Sequence, residues 1–156
     1  MEQSRLASRF GLEIRAADSV DAPGVAELMA AAGLPANPVA IAMRLERLRA
    51  ERATVLLAVA WGPPSGLIVF HPRQTLLADL PIAFVSTLLV GPDARRKGIG
   101  RTLLKSASQA ARSAGCGELH LSALPEADSL RAFCQATGFA EQDSGFVRAL
   151  RKQRTA

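Results

Sequence analysis

The clearest periodicity in the chain lies between residues 99 and 114. Ile99, Leu103, Leu104, Ala107, Ala110, Ala111 and Ala114 recur at spacings of three and four, with Arg101, Lys105 and Gln109 between them. That pattern predicts a long amphipathic helix, and Gly115 follows it where a left-handed C-terminal cap needs glycine. Leu80–Val90 upstream reads as an apolar strand, joined to the helix by a Gly91-Pro92-Asp93 turn and a loop rich in Arg, Lys and Gly.

The earlier part of the chain alternates more briefly. Leu12–Ala16 is a short half-buried strand. Asp18 or Ser19 can cap a helix carrying Val20, Val25, Leu28 and Met29 and ending near Gly33. Leu34–Pro38 is a loop, and Val39–Glu51 a second helix with Ile41, Met43, Leu45 and Leu48 apolar. Ala53–Trp61 is a near-continuous apolar run, the mark of a strand buried on both faces. Gly62–Gly66 turns it into a hairpin partner, Leu67–Phe70, and His71 opens a loop reaching about Asp79.

Past Gly117, Glu118–Ala123 reads as a strand and Glu126–Thr137 as a helix with Leu130, Phe133 and Cys134 on one face. Gly138-Phe139 ends that helix and begins a strand, and Gly145–Leu150 closes the series. The order predicts a single α/β (α+β) domain over residues 1–156, with 1–10 and 151–156 as frayed tails. Its sheet is mixed and mostly antiparallel, of about seven strands flanked by about four helices. The helix between Leu80–Val90 and Glu118–Ala123 demands a parallel crossover.

Composition narrows the setting. At 156 residues, one domain with a full core is expected. Val55–Trp61 and Leu80–Val90 are the longest apolar runs, well short of the roughly 18 residues that span a bilayer. Residues 1–10 are charged and lack the apolar core of an export signal. Cys116 and Cys134 stand at neither metal-ligand nor redox spacing, which fits a reducing cytoplasmic location. The net charge of +5 and the pI of about 10.2 raise nucleic acid as a partner. The basic residues are scattered, however, and no aromatic run stacks bases, so the charge better suits an anionic cofactor.

A strand feeding a glycine-rich loop that opens a helix makes a phosphate site. The first N–H groups of the helix are unpaired and lie at the positive end of its dipole. Arg95, Arg96, Lys97 and Arg101 add charge at the same place. Two other glycine motifs fail on spelling. Gly100 is followed by Arg101-Thr102 where a P-loop needs Lys and a hydroxyl, and Leu103 stands where a dinucleotide fingerprint needs its third glycine.

Arg95-Arg96-Lys97-Gly98-Ile99-Gly100 matches Arg/Gln-x-x-Gly-x-Gly/Ala and follows a strand ending in Val90-Gly91-Pro92. Arg131–Phe139 matches a second signature, a helix ending in Gly-Phe. On these residues the chain resembles the GNAT-type N-acetyltransferase superfamily, with matching element order from Leu12 to Leu150. The resemblance implies acetyl-CoA as co-substrate, no metal, and direct attack by a primary amine, most simply that of a small molecule. Acetylation of a protein N-terminus or lysine, or a CoA-binding module with little catalysis, are the alternatives. It implies a CoA pyrophosphate held by Arg95, Arg96, Lys97, Gly98, Ile99 and Gly100, with Arg101 and Thr102 opening the helix. The pantetheine arm would run along Leu88, Leu89 and Val90, where one N–H would polarise the thioester carbonyl.

The chemistry of the acetyl end departs from the family. Many members place Tyr after the Phe of the second signature; here that residue is Cys134, and the chain has no Tyr. Several carry Glu on the strand where Ser86 and Thr87 stand. Cys134 as acid and Ser86 as a water-ordering hydroxyl are therefore the catalytic candidates. His120 is expected as a hydrogen-bonded core residue, His71 at a surface strand end, and Asp79 in a turn. Ala127 and Leu130 replace residues that commonly touch CoA. Loop Gly33–Pro38 and hairpin Ala140–Gly145 would line the amine pocket, with Glu141 and Asp143 attracting a cation. Neither a membrane nor nucleic acid is expected as a partner, and a homodimer is left open.

Overall fold

The computed structural model describes residues 6–7, 11–121, 128–140 and 148–150. It divides into two compact units, residues 1–121 and 122–156. The first unit holds a sheet of six strands whose spatial order follows chain order. These are β1 (Leu6–Ala7), β2 (Glu13–Ala16), β3 (Thr54–Val59), β4 (Gly66–Arg73), β5 (Ile82–Val90) and β6 (Glu118–Leu121). Every neighbouring pair is antiparallel except β5–β6, which the crossover helix makes parallel as expected. The helices of this unit are α1 (Ala22–Ala31), α2 (Pro38–Ala50) and α3 (Ile99–Ser113); α4 (Asp128–Ala136) lies in the second.

Local chemistry explains the helix starts. Asp18 accepts the Val20 N–H at 3.0 Å and opens a 3₁₀ turn, Ser19–Asp21, that leads into α1. Asn37 accepts the Val39 and Ala40 N–H groups at 3.0 and 3.2 Å, and Pro38 occupies the first helical position, where no N–H is needed. Arg52, in the left-handed region at φ 60°, stops the chain after α2.

The core has two layers, one on each side of the sheet. Val25, Leu28, Ile41 and Leu45 from α1 and α2 pack with Leu57, Leu67 and Val69. Strand alternation turns Ile68 and Phe70 to the other side, where α3 crosses β3, β4 and β5. Leu57, Ile68, Phe70 and Leu103 are sealed from solvent, so both layers are closed.

Several expectations shift. Val20, in the 3₁₀ turn, is 79% exposed, and Trp61, past the end of β3, is 89% exposed; neither joins the core. β4 runs on to Arg73 where a loop was expected from His71. Its pairing with β3 ends at Phe70, so among the described strands His71–Arg73 have β5 alone beside them, and an edge tolerates Pro72. Leu6–Ala7, expected as frayed tail, pairs with Glu13–Ile14. Six strands are described where about seven were expected; of the last two, residues 141–147 lie outside the described chain and Arg148–Leu150 form no strand. No described helix is long and apolar enough to cross a membrane.

Candidate functional site

The loop before α3 is built from its backbone. A 3₁₀ turn over Pro92–Ala94 leads to Arg95 in extended conformation, Arg96 at φ 65° and Gly98 at φ 76°. A bulky side chain at positive φ is strained, and such strain is characteristic of ligand-binding turns. Gly98 caps α3 with no side-chain hydrogen bond. The first intrahelical bond runs from the Thr102 N–H to the Gly98 carbonyl at 3.1 Å, so the N–H groups of Ile99, Gly100 and Arg101 precede the ladder. Left- and right-handed residues in succession turn such donors into one concavity. A Cβ on Gly98 would meet nothing within 4 Å: the space beside it is open.

Charge surrounds this concavity. Arg95, Arg96, Lys97 and Arg101 are exposed and form no ion pair with a described residue. The Thr102 hydroxyl donates to the Gly98 carbonyl at 2.9 Å, so its proton is directed into the helix. Ile99 is buried and anchors the first turn of α3 against the sheet. The start of the loop is fixed too: the Gly91 N–H donates to the Ser65 carbonyl at 2.8 Å, and Ser65 bonds back to Ala58 through its N–H and hydroxyl. The loop is thus held at both ends and exposed in its middle.

β5 leads into this loop. Leu88, Leu89 and Val90 pair with Ile68, Leu67 and Gly66 of β4. The parallel pairing with β6 ends at Val85↔Leu121, and among the described residues no strand covers that side of Ser86–Val90. At the junction the register with β4 slips. Val69 faces Thr87 while Phe70 faces Val85, leaving Ser86 as the extra residue of a β-bulge. His71, carried there by the longer β4, places Nε2 2.9 Å from Ser86 Oγ.

A second polar strip runs across β4, β5 and β6. Arg73 lies over the Phe84 ring at 5.3 Å, and Phe84 meets His120 edge to face at 5.2 Å. His120 Nε2 stands 2.7 Å from Glu118. His120 is hydrogen-bonded as expected, but is half-buried instead of lying in the core.

Cys134 belongs to the second unit and is buried, and burial pushes its thiol pKa up, which keeps it protonated at neutral pH. Asp79 is exposed in the β4–β5 loop. Ala127, Glu141 and Asp143 lie outside the described residues, as does most of the Ala140–Gly145 hairpin, and α4 is described at Leu130 by its backbone alone. His71, expected at a surface strand end before a loop, lies inside β4 next to Ser86; Pro72 reads as the end of a strand in a chain whose pairing is unknown.

The profile of the acetyltransferase (GNAT) family matches residues 25–139, most of the chain. The chain belongs to the GNAT acetyltransferase family. Solved structures agree on the fold of this GNAT acetyltransferase. An acetyltransferase from Trypanosoma brucei superposes with a TM-score of 0.75 at 19% identity, covering 89% of this chain and 99% of that one. AAC(6')-Iy, in complex with the bisubstrate analogue CoA-S-monomethyl-acetylneamine, gives 0.76 at 21% identity, covering 90% and 99%. Glucosamine-6-phosphate N-acetyltransferase from Arabidopsis thaliana gives 0.70 at 16%, covering 88% and 99%. No curated protein sequence matches. The GNAT chain is thus an acyltransferase, and its mixed, mostly antiparallel sheet is the family's.

Proposed function

We propose that this GNAT acetyltransferase moves an acetyl group from acetyl-CoA to the primary amine of a small molecule by direct attack. The observation that carries the reading is the exposed concavity at the N-terminus of α3. Uncommitted N–H groups of Ile99, Gly100 and Arg101, an open space at Gly98 and four exposed cations meet there. A doubly charged pyrophosphate is the ligand that such donors and charges favour.

In this reading Arg95–Thr102 hold the pyrophosphate and the pantetheine amides pair with the edge of Leu88–Val90 that no other described strand covers. An N–H of that edge would take the thioester oxygen as it becomes an oxyanion, a contribution of about 3–4 kcal/mol to the barrier where it has been measured elsewhere. Small amines are supported as acceptors by relatives whose complexes hold them: AAC(6')-Iy with its acetylneamine analogue, and an aminoglycoside acetyltransferase from a soil metagenome with sisomicin. The domain is read as one acetyltransferase unit working in the cytoplasm. Release of free thiol from acetyl-CoA across a panel of amines tests the proposal. Turnover with at least one small amine is expected; tight CoA binding with no thiol release from any amine, peptide or protein would replace it with a binding module.

A further inference from the structure

Ser86 and His71 form a pair that the loop and the β5 edge do not explain. Ser86 is the bulged residue at the point where β5 leaves its pairing with β6. It stands two residues before Leu88, on the strand segment that no described strand covers on the β6 side. A β-bulge re-aims one side chain and is commonly placed beside active sites. The side chain re-aimed here meets His71 Nε2 at 2.9 Å, and both residues keep access to solvent. With the ring proton on Nδ1, Nε2 accepts the Ser86 O–H. A nucleophile's proton can therefore pass to Ser86 Oγ as the serine's own proton passes to the ring.

We infer that His71 and Ser86 are the proton acceptor of the reaction, a two-residue relay standing where the chain lacks a carboxylate. The inference rests on the acetyl-transfer reading above. In the step it describes, the amine nitrogen bonds to the acetyl carbon and the C–S bond breaks, the electron pair leaving on the CoA sulfur. The ammonium proton moves to Ser86 Oγ, and the serine proton moves to His71 Nε2. The imidazolium then releases its proton to solvent, and the thiolate takes one from solvent, which restores both groups. Imidazole suits this because its charge change lies nearest neutrality among side chains. Among the described residues, the other titratable groups on this part of the sheet are Arg73 on β4 and Glu118 and His120 on β6. They are engaged with Phe84 and with one another, not with His71.

The test is a pH–rate profile of wild type, His71→Gln, Ser86→Ala, the double variant and His120→Gln with one amine. Each is checked for acetyl-CoA affinity by calorimetry and for unfolding temperature. In wild type, log kcat/KM should fall in acid with a slope of about two, one proton from the amine and one from the relay. His71→Gln should be slower by roughly 100-fold or more, with a slope of about one and unchanged acetyl-CoA affinity. Ser86→Ala should be similarly slow, and the double variant no slower than the slower single, because the two act as a unit. His120→Gln should keep the slope of two. Wild-type turnover that His71→Gln leaves unchanged in rate and slope would overturn the relay alone. A wild-type protein that binds acetyl-CoA but acetylates no amine would overturn the transfer reading and the relay with it.

Discussion

Replacing Gly66 with alanine should destabilise the protein and weaken its hold on CoA together. Gly66 opens β4 under the first turn of α3. A Cβ built there would stand 3.0 Å from Leu103 Cδ1, 3.0 Å from the Leu89 carbonyl oxygen and 3.1 Å from Ile99 Cγ2. Leu103 is fully buried and Ile99 nearly so, and the carbonyl belongs to a paired strand, so none of the three can swing aside cheaply. Overpacking of this kind costs about 1–3 kcal/mol. The loss of glycine's freedom in the unfolded chain returns about 0.4–1 kcal/mol. A net loss of about 1–2 kcal/mol follows, which in a chain of this size lowers the unfolding temperature by roughly 2–8 °C. The same push lifts Ile99, which anchors the turn carrying the exposed N–H groups, so acetyl-CoA affinity should fall as well. Thermal unfolding followed by circular dichroism and calorimetric titration read the two effects. An unfolding temperature equal to or above wild type would refute the close packing of α3 on β4.

Two further outcomes rest on charges and thiols. Arg15 donates to both oxygens of Asp21, at 2.9 and 2.6 Å, and this pairing, against the opposing effect of burial, holds the Asp21 carboxyl below its ordinary range. Because the folded value is the lower one, the stabilisation is complete above the ordinary carboxylate range and is lost as pH falls through the folded value. Asp21→Asn should therefore cost about 2 kcal/mol in urea unfolding at neutral pH, with the gap to wild type closing in acid; an equal gap at both would refute the assignment. Burial pushes the thiols of Cys116 and Cys134 up, so both should alkylate more slowly than free cysteine at mildly alkaline pH and speed up in urea. Rapid labelling of the folded protein would contradict that.

The glycine-rich loop before α3 was legible in the sequence because its pattern is local. Glycine spacing, flanking arginines and the helix that follows are all read within one stretch, and the structure adds the left-handed Arg96 and Gly98. The helices were legible for the same reason: Asp18 caps the turn leading into α1 and Gly115 takes φ 84° after α3. The His71–Ser86 pair was not legible, because it joins residues fifteen apart in sequence and depends on a one-residue slip between their strands. Alternation within one strand does not report the register between two. Val20 and Trp61 were misjudged because hydrophobicity marks what can be buried, while burial depends on whether an element continues through the residue.

Calorimetric titration of acetyl-CoA into wild type and into Gly98→Glu tests the account at its centre. Gly98 already adopts φ 76° with open space beside it, so the variant's fold bears a backbone strain of about 1–2 kcal/mol. Its carboxylate, by contrast, is placed beside the site proposed for the phosphates. Saturable binding to wild type, lost or weakened at least tenfold in a folded Gly98→Glu protein, is the result expected. No binding to wild type, or equal affinity in both proteins, would contradict the claim that the N-terminus of α3 holds the CoA pyrophosphate.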